Sequence, residues 1–127
     1  MKKLIIVAAV LYGTYWYASN RFNFADTLAY AKKNPQASWA PAVDYYVGMV
    51  YFQRAEYPKA QEAFTQLLTD YSTGPYTAKG LLRLATVAEE NKDWQVARQS
   101  LERFIEEFPE HKDKQIAAQR LEIIKFK

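Results

Sequence analysis

The sequence predicts an all-α protein in which an apolar N-terminal helix precedes a short stack of helical hairpins. Three observations support this prediction. The chain matches itself when it is shifted by 37 residues, so that Gly48 falls on Ala85 and Ala60 falls on Ala97. In both copies, apolar residues recur at spacings of three and four, which places them on one face of a helix. Residues 4–18 form an uncharged run behind two lysines.

The first element is a predicted membrane anchor over residues 1–22. Extending the uncharged run to Asn20 gives about 25 Å of helix at 1.5 Å per residue, which is near the short end of what spans a bilayer. Aromatic residues gather at the far end of the run, as they do at lipid headgroups. We expect the lipid contacts to come from Leu4, Ile5, Ile6, Val7, Val10, Leu11, Tyr15 and Trp16.

Two other interpretations of this segment are a cleaved secretory signal and an ordinary core helix. A signal needs a small residue three positions before the cut. Cleavage after Ala18 would put Trp16 there, and cleavage after Ser19 would put Tyr17 there. We therefore favour an uncleaved anchor. Its lysines would stay in the cytoplasm, and the rest of the chain would lie outside.

Residues 23–127 are predicted to form one domain of helical hairpins. Residues 24–33 take the place of a second helix whose own first helix is missing or is replaced by the membrane segment. The first full unit follows. The apolar positions from Val43 to Tyr51 share one helix face, which predicts its first helix. Pro58 suits the first turn of the next helix, and residues 72–75 form a loop.

The second unit repeats this arrangement 37 residues later. Leu81, Leu84 and Ala88 lie on one face of its first helix. Asp93 is a good N-cap for its second helix, which ends before Pro109. An amphipathic helix over about residues 112–124 then caps the stack with its charged side.

Composition excludes several classes of partner. The formal charge is +3, but Lys2, Lys3 and Arg21 account for all of the excess, so residues 23–127 are formally neutral. A nucleic-acid interface needs clustered cations, and we expect none. The sequence contains no cysteine, which excludes disulfides, thiolate metal sites and a lipid-modified cysteine.

Chemistry-bearing motifs are also missing. His111 is the only histidine, and Glu107, Glu110 and Asp113 beside it are a weak ligand set for a metal. No glycine-rich phosphate loop or nucleophile motif is present. We expect no enzymatic activity, no metal, no cofactor and no small-molecule substrate.

The matched positions resemble the tetratricopeptide repeat (TPR), a helical hairpin with small residues where its helices cross. The residues that carry the resemblance are Gly48, Tyr51, Ala60 and Phe64 in the first unit, and Ala85, Ala97, Leu101 and Pro109 in the second. Ser72 replaces the closing proline, and Ala88 replaces a bulky residue. The period is longer than the family's usual one, and in this respect the chain resembles TPR proteins of the bacterial cell envelope.

The resemblance implies a partner-binding inner face made by the first helix of each unit. On this chain the candidate residues are Tyr45, Met49, Phe52, Lys79, Leu82 and Thr86, together with Trp39 at a joint. Such an apolar groove with a methionine suits an apolar helix or an extended segment. Alternatively, residues 24–33 of the same chain fill the groove.

The resemblance implies protein partners, and two functions are open. In the first, the protein is a small accessory subunit of a membrane complex, crossing the bacterial inner membrane once with its TPR-like domain in the periplasm. In the second, it is a periplasmic adaptor that transiently binds peptides or envelope-assembly proteins in the groove. The small size, the minimal repeat number and the predicted anchor favour the first.

Overall fold

The computed structural model describes residues 2–21 and 24–127, and these ranges contain seven helices joined by short turns. The N-terminal segment is α1 (Lys2–Arg21). The stack that follows consists of α2 (Phe24–Lys33), α3 (Ala40–Gln53), α4 (Tyr57–Asp70), α5 (Thr77–Glu90), α6 (Trp94–Glu107) and α7 (Lys114–Ile124).

The helix ends repeat with the period of the sequence. α3, α5 and α7 begin at Ala40, Thr77 and Lys114, and α2, α4 and α6 end at Lys33, Asp70 and Glu107. The two full hairpins are therefore α3–α4 and α5–α6, and α2 is the end of a second helix. α7 occupies the place of a first helix in a third unit. It begins two residues later than we expected, because residues 112–113 form a turn in which Lys114 N–H donates to the His111 carbonyl at 3.1 Å.

The same turn closes both hairpins. Glu56 N–H donates to the Tyr51 carbonyl at 2.9 Å, and Asp93 N–H donates to the Ala88 carbonyl at 2.8 Å. The residue before each donor has a left-handed backbone, with φ of 58° at Ala55 and 58° at Lys92. This is the Schellman arrangement that ends a helix by satisfying its last carbonyls. Equal turns give the two hairpins equal geometry.

From α2 to α7, each helix packs on the next one, and the core runs along the stack. Phe64 and Phe104 are fully buried at its centre. Gly48 lets α3 approach α4 closely, since an added Cβ would lie 2.7 Å from the Phe64 ring. In the second hairpin the corresponding pair is Ala85 and Leu101, both fully buried. Where the first helix has alanine instead of glycine, the second helix has leucine instead of the larger phenylalanine, so the filled volume is similar.

The half unit α2 is fixed to the first hairpin. Gln66 on α4 donates through Nε2 to Asp44 Oδ1 on α3 at 3.0 Å and to the Leu28 carbonyl on α2 at 3.1 Å. The Tyr71 hydroxyl donates to the Pro35 carbonyl at 2.8 Å. With Leu28 and Ala31 buried, α2 completes the core at this end.

The prediction of a transmembrane helix is wrong. α1 has 20 residues, about 30 Å of helix, but its aliphatic stretch covers only residues 4–11 before tyrosines, a threonine and a tryptophan follow. Within residues 2–21 and 24–127, no helix combines enough length with enough apolar character to cross a membrane. The eight proposed anchor residues lie on α1, where they are 54% to 74% exposed. The predicted domain boundary after residue 22 falls outside the described residues.

Candidate functional site

A groove of about 500 Å³ opens on the side of the stack to which the first helices contribute. α3 supplies one lining residue, α5 supplies four, α7 supplies one, and the α6–α7 joint supplies three. The lining consists of Tyr45, Lys79, Leu82, Arg83, Thr86, His111, Lys112, Asp113 and Arg120.

One wall of the groove is aromatic. The Tyr45 ring is buried, with its centroid 5.9 Å from that of Phe64 and 5.4 Å from that of Tyr76. Lys79 Nζ lies 4.9 Å from the centroid of Tyr45 and 4.3 Å from that of Tyr76. Such cation–π contacts attract the ammonium group to the ring faces. They orient the Lys79 charge without neutralising it.

On the opposite wall, Arg120 forms hydrogen bonds that join α7 to α5. Its Nη2 donates to Glu89 Oε2 at 3.0 Å and to Thr86 Oγ1 at 3.2 Å. The Thr86 hydroxyl in turn donates to the Leu82 carbonyl at 3.0 Å. Arg120 and Glu89 are about one quarter exposed, so this ion pair links α7 to α5. It also neutralises one of the groove cations.

His111 holds the joint between α6 and α7. Its Nδ1 accepts the backbone N–H of Asp113 at 3.0 Å, and its ring lies edge-on to Phe104 with centroids 5.0 Å apart. The neutral ring therefore carries its proton on Nε2. Across residues 2–21 and 24–127, the structure groups no three histidine or acidic side chains where they could hold a metal ion.

Three cations of the groove remain unpaired. In the part of the chain that the structure describes, no carboxylate lies within ion-pair distance of Lys79, Arg83 or Lys112. Asp113 is the only acidic residue of the lining. Because residues 23–127 are formally neutral, the positive charge is a local property of this groove.

The structure brings four of the predicted binding residues together, namely Tyr45, Lys79, Leu82 and Thr86. Met49 and Phe52 share their helix face but are partly buried and do not line the groove. Trp39 stacks on Tyr30 instead, with centroids 5.5 Å apart and planes within 7°. The groove is more basic than the apolar surface we expected, and none of the α2 residues with described side chains, 25–33, lines it.

Sequence reasoning missed the basic residues Arg83, Lys112 and Arg120. A signal for two of them was present, because Arg83 and Arg120 occupy equivalent positions 37 residues apart. The predicted binding face included Leu82 but not the neighbouring residue Arg83. Lys112 gave no such signal, since it reaches the groove from a joint.

Comparison with known proteins places the chain in a family. Residues 15–119, most of the chain, match the family model YfiO, which is described as an outer membrane lipoprotein. No curated protein matches the chain. The match confirms the predicted TPR-like family of the bacterial envelope.

The match also corrects the predicted location. A single pass through the inner membrane, with a cytoplasmic N-terminus and a periplasmic domain, is wrong, because the family is one of outer membrane lipoproteins and no described helix could span a bilayer. The predicted contact with lipid through the N-terminal helix loses its support for the same reason. Both the fold of residues 24–127 and the matched range lead to one conclusion: the chain belongs to the YfiO family of outer membrane lipoproteins.

Proposed function

We propose that the protein is a non-enzymatic adaptor of the bacterial envelope that binds segments of other envelope proteins in its groove. The observation that carries this proposal is the open groove shared by α3, α5 and α7. Repeat stacks present such extended surfaces to their partners. The surface offers apolar, aromatic and charged groups side by side, the mixture that interfaces use.

The packing of α2 supports a groove that is free for a partner. α2 lies against α3 and contacts α4 through the hydrogen bond from Gln66. The residues that line the groove come from other elements. This arrangement favours an external occupant over residues 24–33.

The competing hypothesis, a permanent subunit of a membrane complex, rested partly on a helix that crosses the membrane. Without the apolar content for that role in α1, it retains only the arguments from small size and few repeats. The family match to an envelope protein fits an adaptor, and an adaptor needs no helix that crosses the membrane.

Site-specific photo-crosslinking in cells tests the proposal. p-Benzoylphenylalanine replaces Leu82 in the groove or, as a matched control, the exposed Glu102 on α6. We expect adducts with envelope proteins from position 82 and none of the same mass from position 102. Equal adducts from both positions, or none from position 82, would contradict the proposal. A complex of fixed stoichiometry that survives purification would support the permanent subunit instead.

A further inference from the structure

We infer that the segment held in the groove is acidic and extended, with carboxylates against Lys79, Arg83 and Lys112 and an apolar side chain on Leu82. This inference rests on the proposed function and specifies the chemistry of the partner. The three cations project from α5 and from the α6–α7 joint around one opening.

Charge complementarity is the first argument. Arg83 and Lys112 are exposed, and neither has a carboxylate partner in the described residues. Lys79 is held over two tyrosine rings, so its charge is positioned in advance. The fourth cation, Arg120, is already paired with Glu89 and is left out of the contact set. Complementary charges of this kind steer association and select between partners.

The size of the groove suits a short extended segment. The groove is open to solvent and has a volume of about 500 Å³. A few residues of extended chain fit this space, and alternate side chains of such a segment point to opposite sides. Its side chains can then reach both α5, with Lys79, Leu82 and Arg83, and the α6–α7 joint, with Lys112.

The apolar contact has a defined place. Leu82 is half-buried between Lys79 and Thr86 on the same helix face. Because the Thr86 hydroxyl is already bonded to the Leu82 carbonyl and to Arg120, it does not need a partner from the ligand. The sequence of the bound segment should therefore combine acidic residues with at least one aliphatic residue.

Fluorescence anisotropy with two short labelled peptides tests the inference. One peptide alternates aspartate and leucine, and the other alternates asparagine and leucine. We expect the acidic peptide to bind roughly tenfold more tightly at low ionic strength and to lose this advantage at high ionic strength.

The matched variants are Arg83→Gln with Lys112→Gln, compared with Lys33→Gln on α2. All three residues are exposed, so circular dichroism should report unchanged helix content. Removing two charge contacts should weaken the acidic peptide by roughly fivefold to tenfold. Lys33→Gln should change the affinity less than about twofold, because Lys33 does not line the groove.

Three outcomes would overturn the inference. Equal binding of both peptides would remove the charge preference, and equal loss in the groove and Lys33 variants would remove the location. Absence of binding by either peptide would remove the ligand class. In each case the crosslinking from position 82 reports separately on the proposed function, so failure of one proposal is distinguishable from failure of the other.

Discussion

The Asp44 carboxylate accepts a hydrogen bond from Gln66 at 3.0 Å while only 1% of the residue is exposed to solvent. Burial raises the pKa of Asp44 from 3.8 to about 6; the Gln66 bond works in the opposite direction, and the charge of Asp70 adds a smaller increase. Asp44 joins α3 to the α2–α4 contact. The protonation of one carboxyl group is therefore coupled to the packing of three helices.

Stability should fall as pH rises from about 4 to 7. Below pH 3.8 the Asp44 carboxyl is protonated in both the folded and the unfolded chain. Above that value the unfolded chain releases its proton first, and the contribution is lost as pH passes the folded pKa of about 6. The full effect corresponds to at most about 3 kcal/mol of unfolding free energy.

Asp44→Asn isolates this effect. The amide keeps the shape and still accepts from Gln66, but it does not titrate. In urea denaturation at several pH values, the unfolding free energy of the variant should fall much less between pH 4 and pH 7 than that of the wild type. Asp70→Asn, at an exposed position, should keep most of the pH-dependent fall in unfolding free energy. Parallel curves for the wild type and Asp44→Asn would contradict the assignment.

The contact between Gly48 and Phe64 predicts a rescue experiment. Gly48→Ala would place a Cβ 2.7 Å from the Phe64 ring, and such overpacking costs about 1–3 kcal/mol. Adding Phe64→Leu recreates the Ala85–Leu101 pair of the second hairpin and should recover part of that loss. Chemical denaturation of both single variants and the double variant measures the coupling; additive effects would show that the contact is not limiting.

The two hairpins also offer a matched pair of helix caps. The Asp93 carboxylate accepts from Val96 N–H at the start of α6, whereas Glu56 at the start of α4 makes no side-chain cap. Asp93 also accepts from Gln61 at 2.8 Å. Asp93→Ala should therefore cost about 1–2 kcal/mol in thermal denaturation, and Glu56→Ala should cost far less. Equal losses would contradict the cap assignment.

The left-handed residues Ala55 and Lys92 predict stabilising substitutions. Each has φ of 58°, a conformation that costs an L-residue about 1–2 kcal/mol and that glycine adopts freely. Ala55→Gly and Lys92→Gly should each raise the unfolding free energy by about 1 kcal/mol. Gln99→Gly, at an exposed position in the middle of α6, should instead lower it by about 1 kcal/mol. A loss at all three positions would show that the turns are not under strain.

The helical stack followed from the sequence because its period is encoded in side-chain size. Small residues at Gly48 and Ala85 and the cap at Asp93 fix where helices cross and begin, and these are local signals. The family assignment used the same positions. Tyr45, Lys79, Leu82 and Thr86 followed as well, since one helix face is readable from spacing.

The remaining features depend on tertiary structure. Lys112 reaches the groove only because the His111 joint turns back towards α5, and spacing cannot show that. Phe52 does not line the groove, and its ring packs towards Tyr57, with centroids 5.7 Å apart. The α1 prediction failed for a different reason: it gave weight to the absence of charge over residues 4–18, although tyrosines and a threonine dilute the aliphatic run.

Equal spacing of the helix starts at Ala40, Thr77 and Lys114 makes a block of 37 residues interchangeable. A second copy of residues 77–113, inserted after residue 113, would place each of its helices and its Schellman turn in register with the existing ones. Its copies of Lys79 and Arg83 would add another row of cations. A block of any other length would have to build a new joint. The molecule can therefore be lengthened one hairpin at a time, and the reach of its groove would grow in the same steps.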